Sequence, residues 1–222
     1  MRILVLDTSQ IQAAMCVLEG DLLKAELSGS VDVSHSEALL RHLHELLKQA
    51  SLEIKDIDAF AAGVGPGSFT GIRIGCATVK ALAQVTAKPV LPFSSLRATA
   101  LALGEGRNVV SVVNAYQGQV FVGWWAGGTW HEDAMTAHTW CAQHGEALAK
   151  IGGLTFCGTG AELYRAEFEA LPRAEFSSSA YVTALGMQRA LKDVTAVHYS
   201  KLVANYLRPS QAEVKLGVSL AK

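Results

Sequence analysis

The stretch that most constrains this chain is Gly63-Val64-Gly65-Pro66-Gly67-Ser68-Phe69-Thr70-Gly71-Ile72-Arg73-Ile74-Gly75. Its first five residues hold three glycines and a proline, which suit a tight loop and neither a helix nor a strand. From Ser68 to about Ala87 the apolar positions follow a helical period, and Ser68 stands where an N-cap belongs. On that helix Gly71, Gly75, Thr78 and Leu82 share one narrow stripe. A glycine inside a helix costs roughly 1 kcal/mol relative to alanine. Two of them a turn apart imply that another backbone comes very close. The rest of the helix is apolar nearly all round, with Arg73, Lys80 and Gln84 as its polar strip. Such a helix is buried on more than one side. One side serves the chain's own core, and a partner's surface is the expected use of the other.

The surroundings of this stretch are those of a well-packed protein. Half of the 222 residues are apolar and 18% are charged, so a substantial core can form and disorder is not expected. A net charge of −1 lacks the basic stripe of a free-standing nucleic-acid binder. No apolar run reaches membrane-spanning length, and Met1-Arg2 leads directly into a strand. The expectation is a cytoplasmic protein with no membrane partner. Cys16, Cys76, Cys141 and Cys157 stand far apart with no C-x-x-C pair, and read as small core residues in a reducing compartment.

Three strands open the chain: Ile3 to Leu6, Ala13 to Leu18 and Leu22 to Leu27, the first ending in Asp7-Thr8-Ser9. A helix is expected from Ser34 to about Ala50, capped by the pair Ser34 and Glu37. Its leucines at 39, 40, 43, 46 and 47 make the apolar face, and His35, Ala38, His42 and Gln49 line one flank. A strand at Ala59 to Val64 delivers the glycine loop. After the glycine-bearing helix come a strand at Pro89 to Phe93 and a helix capped at Ser94-Ser95. Gly104 to Arg107 is the expected boundary, dividing an N-terminal lobe, 1–104, from a smaller C-terminal lobe, 105–222, whose extreme end can pack back on the first. Beyond it strands are expected at Val109 to Val113, Val120 to Trp124 and Leu154 to Cys157. Helices are expected at Ala137 to Ile151, after Gly158-Thr159-Gly160, and at Ala180 to Leu191. The second half repeats the element order of the first without repeating its sequence.

The candidate chemistry is sparse. Backbone N–H groups of the glycine loop could cradle phosphate. However, G-x-x-x-x-G-K-[ST] is absent, and glycines at 63, 65, 67 and 71 do not spell G-x-G-x-x-G. A structural turn is the better reading. No H-x-x-x-H occurs, and His35 and His42 lie about 10 Å apart along a helix, too far to chelate one metal. No metal site is expected. Ser68 lacks the G-x-S-x-G elbow of a nucleophile. Asp7, at the end of the first strand, either holds a metal–phosphate complex, as in an ATPase, or caps neighbouring N–H groups.

Taken together, Ile3-Leu4-Val5-Leu6-Asp7-Thr8-Ser9, His35 in the first helix and the glycine motif resemble the TsaB (YeaZ) family. The likeness continues through Pro92 to Leu96, Gly158-Thr159-Gly160-Ala161 and Tyr206-Leu207-Arg208, and so covers nearly the whole chain. The resemblance implies an α/β fold of the actin-like ATPase group (Hsp70, actin and sugar kinases), with two stacked lobes of mixed sheets flanked by helices. It also implies a non-catalytic subunit of the bacterial tRNA threonylcarbamoyladenosine machinery. Such a subunit pairs with the catalytic subunit TsaD, works with TsaE, meets tRNA only through the complex and forms a homodimer when alone. The partner contact implied for this chain is His35, Ala38, His42 and Gln49 of the first helix, with Gly71, Ile74, Gly75, Thr78 and Leu82 of the glycine-bearing one. No cofactor is implied, beyond weak nucleotide binding at a vestigial site made of Asp7, Thr8, Ser9, Gly158 and Gly160. The chain departs from the family where Asn114, Tyr116 and Gln119 replace an acid, a base and an acid. The alternative reading is an ATPase or small-molecule kinase of the same fold.

Overall fold

The computed structural model describes residues 1–29, 36–104, 108–179 and 181–208. The expected cap Ser34, the candidate contact residue His35 and the tail from Pro209 lie outside them. Strands β1 (Arg2–Asp7), β2 (Ala13–Glu19), β3 (Leu22–Gly29), β4 (Ala59–Gly63) and β5 (Val90–Phe93) form one sheet in the order β3-β2-β1-β4-β5. The first three pair antiparallel, and β1, β4 and β5 run parallel. A second sheet contains β6 (Val109–Tyr116), β7 (Gln119–Ala126), β8 (Thr129–Met135), β9 (Leu154–Cys157) and β10 (Ala174–Phe176), in the order β10-β9-β6-β7-β8. Reversed, this is the order of the first sheet with the same pairing directions. The sequence reading misses β8 and β10.

Why β1 reads as an unbroken apolar run is now visible. Leu4 and Leu6 face one side of the sheet, where they meet Leu39, Leu43 and Leu46 of helix α1 (Ser36–Gln49) and Ile72, Cys76 and Val79 of helix α2 (Phe69–Thr86). Ile3 and Val5 face the other, against Ala98 and Leu101 of helix α3 (Ser95–Leu101) and Met187 of helix α8 (Ala184–Ala190). A strand covered on both faces has no solvent side to mark with polar residues. Each fully buried Leu or Val on it contributes about 1.5–3 kcal/mol. Helix α3 also touches the second sheet, through Leu96 against Val113 and Phe121 and Ala100 against Val109. On the far face of that sheet Trp140 and Phe168 pack over Phe156 of β9. The layers therefore alternate helix, sheet, helix, sheet, helix.

The far helical layer comprises α4 (Ala137–Trp140), a π-helical turn over Cys141–Gly145, α5 (Glu146–Ile151), α6 (Thr159–Leu163) and α7 (Arg165–Glu169). The single helix expected over 137–151 is thus continuous but widened in its middle. Helix α1 buries Leu39, Leu43, Leu46 and Leu47, but Leu40, expected on the same face, is 56% exposed. After α8 the chain returns to the first sheet. Val197 bridges Val90 at the edge of β5, and Leu202 enters the core between α2 and the sheet.

Candidate functional site

The glycine loop, the end of β1 and the start of α2 meet at one corner of the first lobe. Ser68 caps α2, its hydroxyl accepting from the Gly71 N–H at 3.2 Å. Across the corner the Thr8 hydroxyl donates to the Gly71 carbonyl at 2.7 Å. A Cβ added at Gly71 would stand 2.0 Å from the Thr8 carbonyl oxygen, and one at Gly75 2.3 Å from the Thr8 hydroxyl. The close approach inferred from the stripe is real, but the residue that makes it, Thr8, belongs to this chain, with its backbone at Gly71 and its side chain at Gly75. Gly71 and Gly75 are buried against Thr8 and cannot form a partner surface, which corrects the expectation for both.

The other expected contact residues divide by depth. Ile74, Thr78 and Leu82 are half-buried, with Ile74 and Leu82 packed against the first lobe's own core. Ala38 and His42 are half-buried on α1, and Gln49 is exposed. Beyond Thr70 in its first turn, the fully outward positions on α2 are Arg73, Ala77, Ala81, Gln84 and Val85. Apart from the long Arg73, these make a mostly small and weakly polar strip. It shares the outer layer with Leu40, Arg41 and His44 of α1.

Asp7 caps a neighbouring N–H group, one of its two expected roles. Its Oδ1 accepts from the Ser9 N–H at 2.8 Å and the Ser9 hydroxyl at 2.6 Å, and its Oδ2 from the Ser95 hydroxyl at 2.6 Å. Ser95 in turn accepts from the Gly65 N–H at 3.2 Å. Asp7 is 1% exposed, and burial pushes its carboxyl above the usual range, against the pull of the Ser9 and Ser95 hydrogen bonds. The carboxylate is thus committed to holding the glycine loop against α3. Gly63 leaves room for it, since a Cβ there would fall 2.0 Å from Oδ2.

Between the lobes lies a cleft of about 540 Å³, walled by Ser9, Ser68, Asn114, Thr159, Tyr206 and Arg208 among others. Of the five residues expected for a nucleotide site, only Ser9 reaches it. Asp7 and Thr8 are sealed below the surface, while Gly158 and Gly160 lie against the backbone and side chains of Val112 to Asn114. The site read from the sequence is therefore not assembled as one constellation. No Asp or Glu among the described residues lines the cleft. Arg208 supplies a guanidinium to the wall, and it is occupied by the carbonyl of Ala115 at 2.6 Å and the Gln117 side chain at 2.9 Å. Asn114 repeats the turn made by Asp7, its Oδ1 accepting from the N–H two residues on, that of Tyr116, at 2.9 Å. Arg73 stacks 3.6 Å over Phe69 and donates to the Tyr206 hydroxyl at 3.0 Å at the cleft's edge. Among the described residues no three His, Cys, Asp or Glu side chains converge as a metal site would require. No described helix is long and apolar enough to cross a membrane.

Sequence reasoning missed Glu132 on β8. It accepts from the Ser94 hydroxyl, the Trp130 indole N–H at 2.7 Å and the Asn205 amide at 3.0 Å. Burial raises its carboxyl above the ordinary range, against those three hydrogen bonds and nearby Arg97. The available signal was the alternation Trp130, Glu132, Ala134, whose outer members pack with Phe121.

A protein-family model described as "TsaD: tRNA N6-adenosine threonylcarbamoyltransferase" matches residues 30–205. The tRNA threonylcarbamoyladenosine biosynthesis protein TsaB of Haemophilus influenzae is 34% identical over 123 residues, covering 54% of this chain and 51% of that protein. The chain thus spans about half the length of that curated relative. Among solved structures, an uncharacterized Pseudomonas aeruginosa protein described as similar to peptidase YEAZ superposes with a TM-score of 0.77 at 24% identity, over 93% of this chain and 99% of that one. Component A of the (R)-2-hydroxyglutaryl-CoA dehydratase of Acidaminococcus fermentans superposes with a TM-score of 0.50 at 13% identity, over 90% and 98%. These structural likenesses establish the two-lobed fold.

Proposed function

The chain belongs to the family of the tRNA N6-adenosine threonylcarbamoyltransferase TsaD, and from that premise we propose that it is a non-catalytic subunit in threonylcarbamoyladenosine biosynthesis. It serves the modification of adenosine 37 in tRNAs that read codons starting with adenine. Its role is to bind and activate a TsaD-type catalytic subunit, with a TsaE-type ATPase as the third component. The observation that carries the non-catalytic reading is the sealed state of Asp7. The carboxylate best placed for metal–phosphate chemistry is hydrogen-bonded to Ser9 and Ser95, and among the described residues no Asp or Glu lines the cleft above it. An enzyme that hydrolyses or transfers phosphate needs charge-stabilising groups aimed at the reacting atoms.

The docking surface proposed is the outer face of α1 and α2, with the small residues Ala77 and Ala81 at its centre and Ala38, His42 and Gln49 beside them. A stable interface buries about 800 Å² on each partner, and two helices lying side by side can supply an area of that order. Because the same face can meet its own copy about a two-fold axis, the isolated chain is proposed to form a homodimer that TsaD dissociates.

The test is light scattering of the pure chain, of a TsaD-type partner and of their mixture, repeated with A77E and A81E. Both variants should melt with the wild type while losing the homodimer and the mixed complex. Unchanged complexes in both variants would remove this surface from the proposal. Steady ATP turnover by the pure chain, abolished in D7A, would instead favour the kinase-like reading.

A further inference from the structure

Glu132 sits on the second sheet, yet two of its three hydrogen-bond donors belong to other layers. Ser94 caps α3, its oxygen also accepting from the Arg97 N–H at 3.0 Å. Asn205 lies on the returning segment, and its backbone N–H donates to the Val64 carbonyl at 2.8 Å. The next residue after Ser94 grips the same loop from the other side. The Ser95 N–H donates to the Gly65 carbonyl at 2.9 Å, and the Ser95 hydroxyl accepts from the Gly65 N–H. Val64 and Gly65 are therefore held between the two segments that Glu132 ties together.

The chemistry of this position is narrow. An ionised carboxylate is acceptor-only, so it can satisfy three converging donors without presenting a proton to any of them. A neutral amide would turn an N–H toward one donor, and an apolar side chain would leave all three unpaired. We propose that Glu132 is a positioning residue through which the second sheet fixes the glycine loop, and with it the start of α2. The groups facing it are Ser94 and Arg97 of the α3 turn, Trp130 of its own strand and Asn205. Arg97 is itself paired with Asp193 at 2.6 Å. Burial works against the charge, so the fold holds this carboxylate at a cost that a purely space-filling residue would not incur.

The inference is read in the isolated chain and does not depend on the proposed partnership. Amide hydrogen exchange is followed by NMR in the wild type, in E132A, in N205A and in the double variant. Both single variants should accelerate exchange at the Gly65 and Ser95 amides by about tenfold or more, while Val5 and Phe156 stay within about twofold of the wild type. The double variant should exchange no faster than the faster single one, because both cut the same link. N205A keeps the carboxylate and its other two donors, so it carries the test alone if E132A does not fold. Wild-type exchange at Gly65 and Ser95 in N205A, or an equal acceleration at Val5 and Phe156, overturns the proposal. So does a double variant whose effect is the product of the singles.

Discussion

The Thr8 hydroxyl and the Gly71 carbonyl, 63 residues apart in sequence, are joined by a 2.7 Å hydrogen bond that fastens α2 to the end of β1. Around it the two helix glycines face Thr8 in different ways. Gly71 stands against backbone and Gly75 against a side chain.

That difference makes a testable contrast. G71A and G75A should each destabilise the fold by about 1–3 kcal/mol through overpacking. T8A, which removes the hydroxyl at the cost of one hydrogen bond worth about 1 kcal/mol, should rescue G75A and leave G71A unrescued. Urea unfolding of the three singles and the two doubles gives the two coupling energies. Equal rescue of both glycine variants would contradict the geometry.

Asp7 and Glu132 both have carboxyls raised by burial. The folded state therefore binds their protons more tightly than the unfolded chain. Their contribution to stability is complete below the ordinary carboxylate range and is lost as pH rises through the folded values. Acidification from about pH 7 to about pH 5 should thus help the wild type more than D7N or E132Q, which cannot titrate there. The exposed pairs Arg2–Glu19 and Glu162–Arg165 work weakly in the opposite sense in all three proteins. Calorimetric melting at the two pH values decides it, and identical shifts in wild type and variants would count against the buried-carboxyl account.

The four cysteines should be poor nucleophiles in the native state. Burial pushes Cys16 and Cys157 up to about 12, and Cys76 and Cys141 to about 11. Since the thiolate is the reactive form, a disulfide reagent at mildly alkaline pH should label all four only as the chain unfolds. Cys141, half-exposed at the start of the π-helical turn, should be the first to react. Rapid native labelling of Cys16 would show that its strand opens locally.

Leu202 is 1% exposed and packs into the first lobe's core from the far end of the chain. L202A should cost about 2–5 kcal/mol. The loss should appear first as faster amide exchange in β4 and α2. Changes confined to the second sheet would place Leu202's contribution elsewhere.

How far these features were legible follows from how locally they are encoded. The glycine loop, the Ser68 cap and the buried strands are written in consecutive residues, and the structure contains them. A helical stripe tells which residues share a face but not what that face meets. Thr8 lies too far along the chain for spacing to reveal it as the neighbour of Gly75. Asp7 likewise could not be told from a phosphate-site acid until Ser95, 88 residues away, was seen to close over it. Strand β8 escaped notice because Thr129–Met135 carries charged residues and packs only partly. β10 has three residues, too few for any period.

The bridge between Val90 and Val197 has a consequence for how the protein is made. Synthesis runs from the N-terminus, so β1 to β5 and both outer helices emerge while the residues that complete their sheet edge and core are still untranslated. The first lobe must wait, with part of its apolar surface open, until the second has left the ribosome. Translation order and assembly order therefore disagree in this chain. The nascent first half is where a chaperone would find its substrate.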